Sequence, residues 1–239
     1  MSKPSAGSRL GEHRFFFGMS IAILAVASLG FLRTYLLVPR LGLPEGELGF
    51  TPLVHLHAAL SFGWCVLFVV QSGLVITGRT KAHLKLGWMG LVLYALLVVS
   101  GPFVAIRSAA RHGATPDELA FLAVSLGNIL AYTLLFGAAI HFRKRPDVHK
   151  RLMLLGMVAM LTAPFGRLMD LPYHLNHVVG PGLVVVALAG WDHRSLRGLH
   201  PVTRYGGPAI LFWELLPNAY MTREWWLSTA RWMVNTFTG

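Results

Sequence analysis

Apolar residues in this chain fall in long, nearly unbroken runs, not in the alternating or one-face patterns of a water-exposed fold. The runs at 15–38, 52–77, 84–106, 119–142, 151–168 and 172–191 are each near the roughly 20 residues that carry a helix across a bilayer. A backbone crossing hydrocarbon must satisfy its own hydrogen bonds, so these runs predict helices. A further apolar stretch at 205–221 is interrupted by Glu214, Pro217 and Asn218, which predicts a short or tilted seventh span. The Trp225, Trp226 and Trp232 stretch at 223–236 has the amphipathic, aromatic composition of a helix lying at the membrane surface. The expected fold is therefore all-α: one polytopic membrane helix bundle over 1–239 with seven transmembrane helices.

Local signals sharpen some ends. Thr51-Pro52 is a cap followed by proline in the first helical turn. Asp170 is a candidate cap for the sixth run, and Pro164 is placed to bend the end of the fifth. Lys3, Arg9 and Arg14 precede the first run as they would in a signal peptide. Its apolar part is longer than a signal core, so it reads as an uncleaved first span.

Composition agrees. Only 13% of the residues are charged and 54% are hydrophobic, whereas a soluble domain carries about 25% charged residues. The net charge of +11 does not point to nucleic acid, because the basic residues sit in short segments flanking apolar runs. Lys3, Arg9, Arg14, Arg79, Lys81, Lys85, Arg143, Lys144, Arg145, Lys150, Arg151, Arg194, Arg197 and Arg204 fall on one side. Arg33, Arg40, Arg107, Arg111, Arg167, Arg223 and Arg231 fall on the other. The richer side is expected in the cytoplasm, with the amino terminus. The single cysteine, Cys65, excludes an internal disulfide and reads as a packed residue.

Eleven histidines are the main chemical clue. His83, His141 and His149 fall at the predicted inner ends of spans; His55, His57, His174 and His177 fall at the outer ends. His55 and His57 point about 200° apart on a helix, so they cannot share a face. His57 lies in line with Ser61, Trp64 and Gln71, a polar stripe expected to avoid lipid, whereas His55 lies in an apolar row with Ala59, Phe62 and Val66. His83 heads a stripe with Gly87, Gly90 and Tyr94, and His149 one with Gly156; small residues admit a neighbouring helix, which predicts both histidines inside the bundle. The segments starting at His83 and His149 also share a Leu, a Gly and a Val at matching offsets, a hint of a repeated helix pair. The competing reading is that these are interfacial side chains reaching headgroups.

Three chemistries remain open. Bis-histidine ligation of haem b draws axial ligands from two helices; His83 with His149 would supply an inner haem, and His57 with His177 or His174 an outer one, making a route for electrons to a redox partner or larger membrane complex. A membrane zinc site needs three or four N/O ligands, which His57, Asp170, His174 and His177 would supply at the outer face of a hydrolase. The seven-helix zinc hydrolases related to adiponectin receptors and alkaline ceramidases share the inward amino terminus, but have His-x-x-x-His where this chain has His174-x-x-His177. The third class is an accessory subunit or small transporter in which the polar stripes are packing glue and membrane lipids are the immediate partners.

Taken together, His55-x-His57-Ala-Ala, Gly63-Trp64, Gln71, Gly78-Arg79, His83-Leu-Lys-Leu-Gly87, His149-Lys-Arg-Leu-Met-Leu-Leu and His200-Pro201 resemble a family of uncharacterised bacterial multi-span membrane proteins. The resemblance implies a bacterial inner-membrane location and no particular activity. The chain is more loosely similar to transmembrane b-type cytochromes, without their histidine spacings.

Overall fold

The computed structural model of the protein describes residues 6–43, 49–169 and 173–238, with the side chains of 6–9, 173, 174, 176 and 177 outside the described set. Among the described residues the chain is helical and has no strand. The elements are α1 (Ala6–Gly30), α2 (Val38–Leu41), α3 (Pro52–Ile76), α4 (Thr80–Arg111), α5 (Pro116–His141), α6 (Pro146–Leu168), α7 (Tyr173–Leu196), α8 (Gly207–Leu215) and α9 (Glu224–Thr238). Among the described residues five helices are long and apolar enough to cross a membrane: α1 from Leu10, α3, α4, α5 and α6. α7, at 24 residues, also has the length of a span.

Helix starts follow capping chemistry. The Thr51 hydroxyl accepts from the Val54 N–H at 3.3 Å, and Thr115 Oγ1 accepts from the Glu118 N–H at 3.4 Å, satisfying donors that a first turn leaves unpaired. Thr115 and Pro116, with Asp117 and Glu118 facing the positive end of the helix dipole, start α5 one turn before its apolar run. Similarly, α4 extends past both ends of its run, to 32 residues. Gly78 and Gly113, at φ +73° and +83°, make the left-handed turns that close α3 and α4.

Two expected spans differ in form. The first is not one helix over 15–38: α1 stops at Gly30, a π-helical turn covers Leu32–Leu36, and α2 follows. Gly30 lies against the backbone of Pro164, with no room for a side chain, and the regular α-helix ends at that crossing. The 205–221 stretch is a π-helical turn (Val202–Gly206), α8 and a 3₁₀ turn (Leu216–Ala219) in succession. The only regular α-helix within it, α8, is nine residues long, so the stretch as a whole departs from one regular spanning helix. The expected bend site, Pro164, lies within α6 and is buried, while the expected cap Asp170 falls outside the described residues.

The long helices close into a ring in which α1 packs on α3, α3 on α4, α4 on α5, α5 on α6 and α6 back on α1. The outer side of α6 also carries α7 and α8. As a result 61% of the α6 span is buried, against 22–44% for the other four, which makes α6 the central post. Aromatic rings fill the ring's interior. Trp64 lies edge-on to Phe136, centroids 4.8 Å apart, and Tyr94 stacks on Phe136 at 4.4 Å. Trp64 reaches across to α6, where its Nε1–H donates to Met157 Sδ at 3.0 Å. The outward faces carry large apolar side chains, among them Leu84, Trp88, Val186 and Phe212, which suits contact with lipid and not with water. At the end of the bundle remote from His83 and His149, α9 lays Ala230 and Val234 on Ile106, Ala109, Leu119 and Leu122.

Candidate functional site

Helical geometry turns the histidines as their neighbours require. His55 is exposed, with its Nδ1 2.8 Å from the Tyr35 hydroxyl. Two residues on, His57 is half-buried and faces α4, with Nδ1 2.9 Å from the buried Ser100 hydroxyl. Gly101, next in line, brings the α4 backbone close to the His57 ring.

At the opposite end of the ring, His83 on α4 and His149 on α6 are both half-buried. The His149 Nδ1–H donates to the Ala139 carbonyl of α5 at 2.8 Å. That bond fixes the tautomer and leaves the Nε2 lone pair free for a ligand, the arrangement expected of a metal-ligating histidine. His83 meets Gln71 of α3 through Nδ1. With the Gln71 amide oxygen accepting from the Gly87 N–H at 3.0 Å, its nitrogen lies 2.8 Å from His83 Nδ1 and 3.2 Å from the His83 carbonyl. The Gln71 backbone carbonyl lies farther from Nδ1, at 3.4 Å. The side-chain contact favours a proton on Nε2; the backbone contact favours one on Nδ1. Gln71 therefore sets which His83 nitrogen is available.

The two imidazoles lie at the same end of the bundle, on α4 and α6, which are joined mainly through α5. Between the His83/His149 layer and the His57 layer lie Trp64, Tyr94, Tyr132 and Phe136. The remaining histidines have ordinary surroundings. His141 is exposed, His112 bonds its own helix at Ser108, and His200 is held between Asp147 and the Val202 N–H.

Of the other residues expected at a site, Asp170 and the side chains of His174 and His177 lie outside the described residues. Thus three members of the expected zinc set, and the expected partners of His57 in an outer haem, have no described geometry. Among the described residues no group of three His, Cys, Asp or Glu side chains converges as a metal site.

One feature went unread in the sequence, and the place of a second, Glu214, was left open by it. Two residues after His149, the Arg151 guanidinium is buried against Asp192 of α7, with Nε 3.1 Å from Oδ1 and Nη2 on the same oxygen. The Asp192 carboxylate also accepts from Thr203 Oγ1 and from the His200 N–H at 3.1 Å. Glu12 of α1 pairs with Lys150 and approaches Arg151 at 3.5 Å. This network ties α1, α6, α7 and the segment leading to α8 together two residues along α6 from His149, on a different face of that helix. Glu214, an acid within an apolar stretch, is not at the surface: it is 1% exposed.

No known protein family, curated protein or solved structure matches the chain.

Proposed function

We propose that the protein is a membrane electron carrier that holds haem b between His83 and His149. The observation that carries this reading is that both imidazoles, at one end of the bundle, are anchored through Nδ1, with Nε2 of His149 left as a free ligand atom. A bound haem would supply a one-electron centre; His83 and His149 would hold it, with Gln71 and Ala139 orienting their rings. Ligation by His83 requires its proton on Nδ1, hence the Gln71 amide turned to accept it or the backbone carbonyl taking over. His57, at the other end of the aromatic cluster, supports a second centre in the same bundle.

The chain is read further as a bacterial inner-membrane protein of seven spans, with α7 the sixth and the segment around α8 the short last one. Its basic-rich end, carrying Arg79, Lys81, Arg143, Lys144 and Arg145, faces the cytoplasm. That rim would attract an anionic electron donor or the haem propionates.

Protein purified in detergent is expected to show a Soret band that shifts on dithionite reduction. His149→Ala and His83→Ala should each abolish the band from this centre, while His141→Ala leaves it. A purified protein without the band after expression with ample haem overturns the proposal, as does a band that survives in both inner-layer variants. Stoichiometric zinc in a colourless preparation would replace it with the hydrolase reading.

A further inference from the structure

Glu214 sits on α8 where that helix packs against α5, α6 and α7. The packing is close: Gly206 and Gly207 lie tightly against Leu155 of α6 and Val185 of α7, and Ile210, one turn before Glu214, is 3% exposed. Among the described residues the carboxyl group has one hydrogen-bond partner. Thr162 Oγ1 of α6 donates to Glu214 Oε2 at 3.0 Å, and buried Oε1 has no hydrogen-bond partner. Among the described residues no basic side chain lies within ion-pair distance.

The charged groups on the packed elements are placed elsewhere. On α6, Arg151 is engaged by Asp192, and Arg167 lies over the Phe31 ring. His193 and Arg194 of α7 are exposed at the basic-rich end, as is His141 of α5. At the start of α5 Asp117 is exposed and Glu118 half-buried, and Arg204 lies over Tyr205. The side chains of His174 and His177 at the start of α7 are outside the described residues.

An ionised carboxylate with a single donor in such surroundings costs several kcal/mol. Binding a proton removes that cost. A metal cation would need several oxygen ligands, whereas among the described residues the one side chain bonded to the carboxyl group is Thr162, as a donor. We propose that Glu214 is a proton-binding site inside the bundle, loaded as the neutral acid, which exchanges its proton with water at the end where α8 gives way to the Leu216–Ala219 turn. Because Thr162 donates to Oε2, Oε2 is the carbonyl oxygen and the acid hydrogen resides on Oε1. Among the described residues no acceptor holds that hydrogen, and α8 ends within one turn of the carboxyl group, before Pro217, which has no N–H to continue the helix. The proposal does not depend on haem.

Infrared spectroscopy of the full chain in liposomes tests it. The wild type should show the carbonyl stretch of a protonated carboxyl, shifted down after transfer to D₂O. Glu214→Gln should lose the band. Thr162→Val should retain it at higher frequency, because the donor to Oε2 is gone. Asp192, paired with Arg151, contributes only carboxylate absorption. Isotopic labelling of glutamate in the wild type makes the same assignment without a variant, should Glu214→Gln fold poorly. The proposal is overturned if only carboxylate absorption is present, if the band persists unchanged in Glu214→Gln, if it does not respond to D₂O, or if sodium or potassium abolishes it.

Discussion

Arg151 and Asp192 meet with 1% and 0% of their side chains exposed, and the carboxylate collects further donors from Thr203 and His200. Removing one member of such a pair leaves the other charge buried without compensation, at a cost of about 3–5 kcal/mol. Asp192→Ala should therefore lower the thermal unfolding midpoint in detergent sharply. Asp192→Asn, which keeps an oxygen for Thr203 and the His200 N–H, should lower it less. The Arg151→Met, Asp192→Leu pair should recover much of the loss, because an apolar replacement removes both desolvation penalties. Equal destabilisation by all three would show that the site depends on shape and not on charge. This pair also marks where sequence reading stops. The inward turn of His57 and the outward turn of His55 follow from helical period and the character of their own neighbours, so both were legible. Arg151 reads as one more basic residue at a helix end, because its partner lies 41 positions away and no local pattern announces it. Glu214 was visible as an acid in an apolar run, but its burial depends on α8 being pressed against α6 and α7.

At the scale of elements, apolar runs located the long helices, and caps moved their ends. Thr115-Pro116 and Pro146 extend α5 and α6 beyond their hydrophobic stretches because polar first turns can project from a bilayer. The break after α1 was not legible, since it arises where Gly30 meets the backbone of Pro164 on another helix. α9 shows how an amphipathic segment finds its place. Trp226, Ala230 and Val234 recur at helical spacing; the Trp226 Nε1–H donates to the Leu119 carbonyl at 2.9 Å, and Ala230 is fully buried between α4 and α5. Ala230→Glu would bury an unpaired carboxylate there, costing at least about 2 kcal/mol on protein mutational scales. The helix should undock, and trypsin cleavage at Arg231 should accelerate by about tenfold for each 1.4 kcal/mol lost. The rest of the bundle, which makes its own ring without α9, should keep its unfolding midpoint. Unchanged cleavage would mean that α9 is held by something other than this contact.

For the whole molecule, the decisive property is that the two ends of the ring differ in charge while its sides are apolar. The α5–α6 turn at the basic-rich end carries Arg143, Lys144 and Arg145; the opposite end of α5 opens with Asp117 and Glu118. Positive charge near a span is retained in the cytoplasm, so the two ends of α5 are expected on opposite sides of the membrane, the lysine end inside. Cys65 is free and buried, and its replacement by Ala provides a background without reactive thiols. In that background, Asp117→Cys should be labelled by an impermeant maleimide in intact cells after the outer membrane is made permeable. Lys144→Cys should be labelled only once the cytoplasmic face is opened. The converse pattern would invert the bundle and put the His83/His149 layer on the outer side. Labelling of both from one side is incompatible with α5 as a span, and because α5 joins α4 to α6, it would dissolve the ring on which the inward placement of His57, His83 and His149 rests.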